Sequence, residues 1–278
     1  MVNLNQFKSL LFVLLWAPLI VKAELVVEVT QGLSEPTPVA VVPFKWTGQG
    51  ALPEDVAQIV DQDLSRSGLF TTLPRSAMLS LPSERSQIFF RDWRMTKSDF
   101  LVVGKIEPIS ATRVSLRYEL YDVLKEENIM IQPLESDINQ LRDAAHFIAD
   151  QIYQALTGNR GAFSTRIVYV TAEQLTSQTS RYRLEMADWD GNRPRVILES
   201  REPIMSPSWS ADGKKIAYVS FETGRPSIYV QYLATGKRER IQSFSGLNGA
   251  PAWSPDGNKL ALVLSKDGNA EIYVLDVT

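Results

Sequence analysis

The stretch PSWSADGKKIAYVSFETGRPSIYV at residues 207–230 recurs, with small changes, as PAWSPDGNKLALVLSKDGNAEIYV at residues 251–274. Trp209 of the first copy corresponds to Trp253 of the second, so the period is 44 residues. In each copy an Asp-Gly turn precedes short runs rich in β-branched and aromatic residues, which favour strands packed between neighbouring sheets. A period of about 40–45 residues with this content is typical of the blades of a β-propeller.

A weaker copy of the repeat begins at Arg166. The run RIVYV there resembles KIAYV, and YRLEMADWDG further along resembles SIYVQYLATG. We therefore expect about three blades over residues 166–278. Because propellers usually close with about four to eight blades, this part of the chain is predicted to be an incomplete propeller.

The residues that precede the repeat predict a small α/β domain at residues 39–158, joined to the blades by a linker at residues 159–165. Periodicity, Pro and Gly give the elements. They are a buried strand at 39–44, a helix at 53–68 with Pro53 in its first turn and Gly68 at its end, a buried strand at 99–106, an antiparallel strand at 112–123 with one solvated face, and a helix at 137–157 ended by Gly158. The fold class is therefore two-domain: a small α/β domain followed by an all-β partial propeller.

Residues 1–23 have the pattern of a secretory signal peptide. Lys8 precedes an apolar run at residues 10–21, and cleavage is expected between Ala23 and Glu24. An uncleaved membrane anchor is the alternative, but the run is short of the roughly 20 residues needed to span a bilayer. The chain is therefore expected to be exported.

Residues 24–38 form an arm with strand character. Leu25, Val27 and Val29 alternate with their neighbours, and Gly32 then loosens the chain. The pattern leaves two interpretations open. The arm is either an edge strand of the first sheet or a mobile segment that pairs with another protein by strand addition.

Composition and motifs favour binding over catalysis. The net charge is -3 and the chain has no Cys, so disulfides and thiolate metal sites are impossible, and no basic face suggests nucleic acid. The single His, His146, is expected at the surface or boundary of its helix. Asp188 and Asp190 are interpreted as turn residues, and we find no phosphate-binding loop, nucleophile elbow or metal-ligand motif. No catalytic residue, metal or cofactor is therefore expected.

Five segments, spread from residue 24 almost to the last residue, together resemble one known family. They are ELVVEV, VAVVPFKWTGQGALPEDVAQIVDQDLSRSGLF, DFLVVGKI, LTGNRGAFSTRIVYV and NGAPAWSPDGNKLALVLSKDGNAEIYVLD. The family is TolB, the periplasmic propeller proteins of the Tol-Pal system of Gram-negative bacteria. The two longest segments are specific, whereas the WSPDG turn also occurs in propeller peptidases. The resemblance implies a six-bladed propeller, of which this chain would contain about three blades.

The resemblance implies two binding sites. The mature N-terminus would bind the C-terminal domain of the inner-membrane protein TolA; the arm residues carried over are Glu24, Leu25, Val26, Val27, Glu28, Val29 and Gly32. The loop SGLNGAP would bind Pal, a lipoprotein that grips peptidoglycan. The residues carried over there are Leu247, Asn248, Gly249 and Ala250, of which Leu247 departs from the family's frequent His.

The resemblance also implies how these sites act. The arm folds back on the protein or is released, and Pal binding favours the folded-back arm, so that the two sites are coupled. The implied function is that of a periplasmic, non-enzymatic scaffold that supports outer-membrane integrity and the invagination of the outer membrane during cell division. Other outer-membrane proteins are further implied partners, the membrane is reached through partners only, and nucleic acid is not a partner.

Two other functions fit parts of the sequence. Blades with WSPDG turns also precede the catalytic domain of prolyl-oligopeptidase-like peptidases, which would require a hydrolase domain after residue 278. A propeller that binds carbohydrate or peptidoglycan would use Trp and Tyr as stacking surfaces. Trp209 and Trp253 argue against the second function, because a Trp repeated at one blade position is more often structural.

Overall fold

The computed structural model describes residues 35–242 and 244–277. The predicted signal peptide, its cleavage point and the predicted arm residues from Glu24 to Gly32 lie outside this range. Residues Pro36–Thr278 form one compact unit. Within it, an α/β domain is followed by three separate antiparallel sheets, so the predicted fold class is confirmed.

The first domain is built on one mixed sheet. Its strands are β1 (Thr37–Val41), β2 (Lys45–Trp46), β3 (Phe70–Thr72), β4 (Phe100–Pro108), β5 (Arg113–Asp122) and β6 (Glu127–Asp137). The order is β3-β1-β4-β5-β6, and β2 pairs separately with β4. The pairs β1–β3, β1–β4 and β2–β4 are parallel, whereas β4, β5 and β6 form an antiparallel meander.

Three α-helices complete this domain: α1 (Val56–Arg66), α2 (Phe90–Met95) and α3 (Leu141–Thr157). The prediction that Pro53 lies in the first turn of α1 is wrong. Asp55 caps this helix, and its carboxylate accepts a hydrogen bond of 3.0 Å from the Gln58 amide. The start predicted for α3 is also too early, because residues 138–140 form a 3-10 turn before it. Its predicted end at Gly158 is confirmed by a left-handed φ of 76° there.

The two faces of the sheet are covered differently. On one face, α1 and α3 bury Val60, Leu64 and Ile148 against Val102. On the other face, α2 buries Trp93 over β1 and β4. The solvated face predicted for β5 is only partly solvated. Glu119 on that face is 2 % exposed, and it accepts hydrogen bonds from Arg117 Nε and the Tyr121 hydroxyl, which explains how a carboxylate is tolerated there.

The linker at residues 159–165 is fixed to α3. The Asp150 carboxylate accepts hydrogen bonds from the amides of Phe163, at 2.7 Å, and Ser164, at 3.0 Å. The buried Phe163 ring lies between Tyr153 of α3 and Trp189 of the first blade, with ring centroids 5.6 Å and 5.1 Å away. The linker therefore connects the α/β domain to the blades through a packed core.

The three following sheets are the predicted blades. Their strands are β7 (Arg166–Gln174), β8 (Ser180–Asp188) and β9 (Arg195–Ser200); β10 (Ile204–Trp209), β11 (Lys215–Ser220), β12 (Ser227–Tyr232) and β13 (Arg238–Gln242); and β14 (Asn248–Trp253), β15 (Lys259–Leu264) and β16 (Glu271–Asp276). The weak copy at Arg166 is thus a real sheet. Within residues 35–242 and 244–277, no helix is long and apolar enough to cross a membrane.

The repeated Trp and Asp residues act in packing and turns. Trp253 of the third blade donates from Nε1 to the Ser208 carbonyl of the second blade at 3.2 Å. Asp212 accepts hydrogen bonds from the Ser210 hydroxyl and the Lys214 amide within its turn, and Asp256 does the same one repeat later. The turn contacts of Asp212 and Asp256 explain why this Asp recurs in the second and third blades.

Candidate functional site

The loop predicted to bind a partner lies at the start of β14. Asn248 in this loop is 1 % exposed. Its amide donates to the carbonyls of Phe244, at 2.8 Å, and Gly246, at 3.2 Å, and its oxygen accepts from the Phe244 amide at 3.0 Å. All of these bonds lie within the loop. Asn248 therefore shapes the loop, and its side chain is not available to a partner.

The outer surface of the loop is formed by its neighbours. Leu247 is 47 % exposed, and its amide donates to the Ser265 hydroxyl at 2.8 Å. Ala250 is exposed and has a φ of 45°. It lies in a bulge between β14 and β15, whereas Gly249 is only half-exposed. The loop thus presents one large apolar and one small residue, a surface suited to close contact with another protein.

The bulge is part of the repeat. Ser206, 44 residues before Ala250, has a φ of 49° and lies in the same kind of bulge between β10 and β11. A left-handed φ is uncommon for residues other than Gly, and here it occurs at one position in two blades. The backbone at Ala250 is therefore a property of the blade, while the side chains around it can vary.

A second cluster of polar residues lies where the α/β domain meets the first blade. Asp63 of α1 is fully buried and His146 of α3 is 2 % exposed. One oxygen of Asp63 lies 2.6 Å from His146 Nδ1, and the other accepts a hydrogen bond of 3.1 Å from Trp189 Nε1. The expectation that His146 lies at the surface or boundary of its helix is wrong, because α1 and the first blade both cover it.

Burial raises the pKa of Asp63, and its hydrogen bond with His146 opposes that effect. His146 Nε2 has no hydrogen-bond partner among the described residues. It lies 3.9 Å from an Asp188 oxygen. The imidazole therefore stands between a carboxylate of the first domain and one of the first blade.

Arginines surround the carboxylates of Asp188, the last residue of β8, and Asp190, in the turn that follows. Arg142 of α3 donates to Asp190, and Arg66 of α1 lies 3.4 Å from the same oxygen. Although burial raises the pKa of Asp190, hydrogen bonds from Asn192 and the charge of Arg142 lower it to about 2. The turn is thus held to α3 by a charge-assisted hydrogen bond and to α1 by an ion pair.

Arg193 closes the same turn from the other side. It donates to both oxygens of Asp188, at 2.7 Å and 3.0 Å, and also to Asp143 of α3. These hydrogen bonds raise the pKa of Arg193. We call the set of Asp63, Arg142, His146, Asp188, Asp190 and Arg193 the ionic junction.

The junction contains a possible metal-ligand set. His146, Asp188 and Asp190 offer ligand atoms within 4.8 Å of one another. The carboxylate oxygens are, however, already bound by Arg142 and Arg193, and two guanidinium groups would repel a cation. The geometry therefore favours a structural link between the domains over a metal site.

One feature of the sequence, a carboxylate on the apolar face of a helix, indicates the ionic junction. Asp63 follows Val56 by seven residues and Ile59 by four, so it falls on the apolar face of α1. A carboxylate at a core position requires a buried partner. The partner, His146, lies 83 residues away in the sequence, and helix spacing cannot identify such a pair.

Comparisons with known proteins agree with the fold. The model of the TolB amino-terminal domain matches residues 25–129, and the model of the TolB beta propeller domain matches residues 153–278. The Tol-Pal system protein TolB of Marinomonas sp. (strain MWYL1) is 53 % identical over 230 residues, which are 82 % of this chain and 53 % of the relative. The protein of the same name from Pseudomonas syringae pv. syringae is 50 % identical over 248 residues, 89 % and 57 % of the two chains.

Among solved structures, the crystal structure of TolB from Acinetobacter baumannii aligns with a TM-score of 0.77 and 42 % identity. The alignment covers 88 % of this chain and 59 % of that one. The chain therefore spans about half the length of the curated relatives it matches.

Proposed function

Because the chain belongs to the TolB family, we propose that it is a non-enzymatic scaffold of the Tol-Pal system in the periplasm, where it links the Pal lipoprotein to the C-terminal domain of TolA. The observation that carries this proposal is the match of both TolB domain models, in order, along one chain. The relatives are named for the Tol-Pal system. Through this link the protein supports outer-membrane integrity and the invagination of the outer membrane during division.

The loop at residues 247–250 is the proposed contact for Pal. Its exposed residues, Leu247 and Ala250, stand on a frame fixed by Asn248 and by the Ser265 hydroxyl. A rigid apolar contact loses little conformational entropy on binding. A bulky charged side chain at Ala250 would project from the bulge toward the partner and prevent close approach.

The arm is the proposed contact for TolA. Leu25, Val27 and Val29 would present one side of an added strand, while the backbone supplies hydrogen bonds to the partner sheet. Ordering a free segment costs conformational entropy, so the affinity is modest. Proline at Val27 would remove one amide donor from that strand.

Two titrations test the proposal. In the first, calorimetric titration of the full chain with Pal compares Ala250→Glu with Ser206→Glu, the equivalent position of the preceding blade. We expect a loss of at least about tenfold in affinity for Ala250→Glu only. Equal affinity of Ala250→Glu and the unmodified chain, or equal losses for both variants, would argue against the loop.

In the second titration, a peptide of residues 24–36 is added to the C-terminal domain of TolA. We expect saturable binding that is lost with Val27→Pro. A peptide of the same composition in scrambled order is the control. Binding of the scrambled or proline peptide as strong as that of the original would refute strand addition.

A further inference from the structure

A cleft of about 370 Å³ opens between the first and second blades. Its walls are the start of β7, the end of β8 and the start of β9 on one side, and the turns before β11 and after β12 on the other. A smaller pocket of about 180 Å³ adjoins it and shares Arg166, Met186 and Arg195 with it. The larger cleft is within the range of about 300–1,000 Å³ typical of ligand sites. Neither the loop at residues 247–250 nor any other residue of the third blade lines it.

The charge of this cleft is one-sided. Arg166, Arg195 and Lys214 line it and are exposed, and no acidic residue of the described chain joins them in its lining. Within residues 35–242 and 244–277, none of the three side chains makes an ion pair or a hydrogen bond. Three unpaired cations around one concave surface concentrate a positive potential there.

The carboxylates near this cleft have hydrogen-bond donors of their own. Asp212, two residues from Lys214, accepts from the Ser210 hydroxyl and the Lys214 amide; these bonds and, to a smaller degree, the charge of Lys214 lower its pKa. Asp188 lines the adjoining pocket but is bound by Arg193 at 2.7 Å. The pKa of Asp143 is lowered mainly by its hydrogen bond with Arg193 and to a smaller degree by Arg166. Since Arg193 satisfies both acids, the positive charge of the cleft remains available to a ligand.

Apolar residues also line the cleft, and we call them its floor. Val196, Leu233 and Ala234 line it, and Val196 is 51 % exposed. Gln231, which also lines the cleft, is 4 % exposed. Its amide donates to the Ile197 carbonyl and its oxygen accepts from the Tyr218 hydroxyl, both at 3.4 Å. Gln231 thus forms a hydrogen bond between the two blades at the cleft.

We propose that this cleft binds an acidic segment of a partner protein, with an apolar side chain on the floor and carboxylates on either side paired with Arg166, Arg195 and Lys214. A phosphate ion or a lipid headgroup would use the cations but leave the exposed face of Val196 uncovered. A peptide with alternating acidic and apolar residues covers both. This site is separate from the loop at residues 247–250, and the proposal does not depend on the identity of Pal or TolA as partners.

The test uses the full chain and a fluorescein-labelled peptide, Glu-Asp-Leu-Asp-Glu, followed by fluorescence anisotropy. We expect saturable binding that weakens as NaCl rises from about 50 to about 300 mM, because exposed charges are screened. Arg195→Glu combined with Lys214→Glu should weaken binding at least about tenfold. Lys214→Ala alone, which changes one exposed side chain, should give a smaller loss and guards against misfolding of the double variant.

The matched control changes the same charge elsewhere. Arg160 and Arg225 are exposed and line neither pocket, so Arg160→Glu with Arg225→Glu should change affinity less than about twofold. Absence of saturable binding, or equal losses for both double variants, would overturn the proposal. So would equal binding of a peptide with Ser in place of Leu, or equally effective displacement by inorganic phosphate or phosphatidylglycerol vesicles, since either would indicate a simple anion site.

Discussion

Replacing Asp63 with alanine removes the buried acceptor that connects α1 to both α3 and the first blade. Its two oxygens serve different partners, His146 at 2.6 Å and Trp189 at 3.1 Å. Neither oxygen can be replaced by water without opening the junction, because Asp63 is fully buried. The substitution therefore leaves the hydrogen-bond donors of His146 and Trp189 without an acceptor.

The cost follows from those two donors. A buried donor without its partner costs about 1–3 kcal/mol. Trp189 is half-buried, so water can partly satisfy its indole, and burial of the carboxylate itself, which raises the pKa of Asp63, offsets part of the loss. We expect Asp63→Ala to lower the free energy of unfolding by about 3 kcal/mol and Asp63→Asn, which keeps an acceptor for Trp189, by about 1–2 kcal/mol. Ser65→Ala, at an exposed position of α1, should stay within about 0.5 kcal/mol.

Urea unfolding at pH 7 measures these differences, and trypsin cleavage after Arg160 reports on the linker. If the junction opens locally, a loss of about 3 kcal/mol should speed cleavage by about two orders of magnitude. A double-mutant cycle with His146→Ala should give a coupling energy of about 1–3 kcal/mol. A loss below about 1 kcal/mol for Asp63→Ala, with no coupling to His146, would show that Asp63 does not hold the ionic junction together.

Two further predictions concern single side chains. The pKa of Asp190 is lowered from 3.8 to about 2, so the stability that its carboxylate contributes is present above about pH 4 and is lost as the pH falls toward 2. In urea titrations we expect Asp190→Asn to be about 2 kcal/mol less stable than the unmodified chain at pH 7 and nearly as stable at pH 2. A difference in stability that does not change with pH would contradict this. Trp253→Phe should cost about 1 kcal/mol more than Trp209→Phe in urea unfolding, because Trp253 Nε1 donates to the Ser208 carbonyl whereas Trp209 Nε1 is buried without a partner in the described chain; equal costs would count against this inter-blade bond.

The sequence was most informative where the fold repeats. The period of 44 residues located the strands of two blades, and the weak copy at Arg166 located a third. A repeat predicts strands well because successive blades pack against one another with the same residue types, such as Trp209 and Trp253. The first residues of the helices were harder to predict from the sequence. The capping carboxylate of Asp55 determines where α1 begins, and several polar residues around Pro53 could have done so.

The junction was missed because its contacts join residues far apart in the chain. Asp63, His146 and Trp189 belong to three different elements, and helix spacing relates His146 only to residues of α3, such as Arg142 and Asp150. Asp150 in fact caps the linker. Charged residues on a helix usually face solvent, and only the arrangement of α1, α3 and the first blade shows that these do not.

The turn between β8 and β9 shows why the cleft cations are not simply further members of the junction. Arg193 and Arg195 are two residues apart, yet Arg193 bonds to Asp188 and Asp143, whereas Arg195 has no ion pair in the described chain. The strand β9 begins at Arg195, and this residue lines the cleft between the first and second blades. The ionic junction holds the turn before Arg195, and pairing with Met186 of β8 holds the backbone of Arg195 itself. Its position is thus determined by the fold, while its charge remains uncompensated, as a site for an acidic ligand requires.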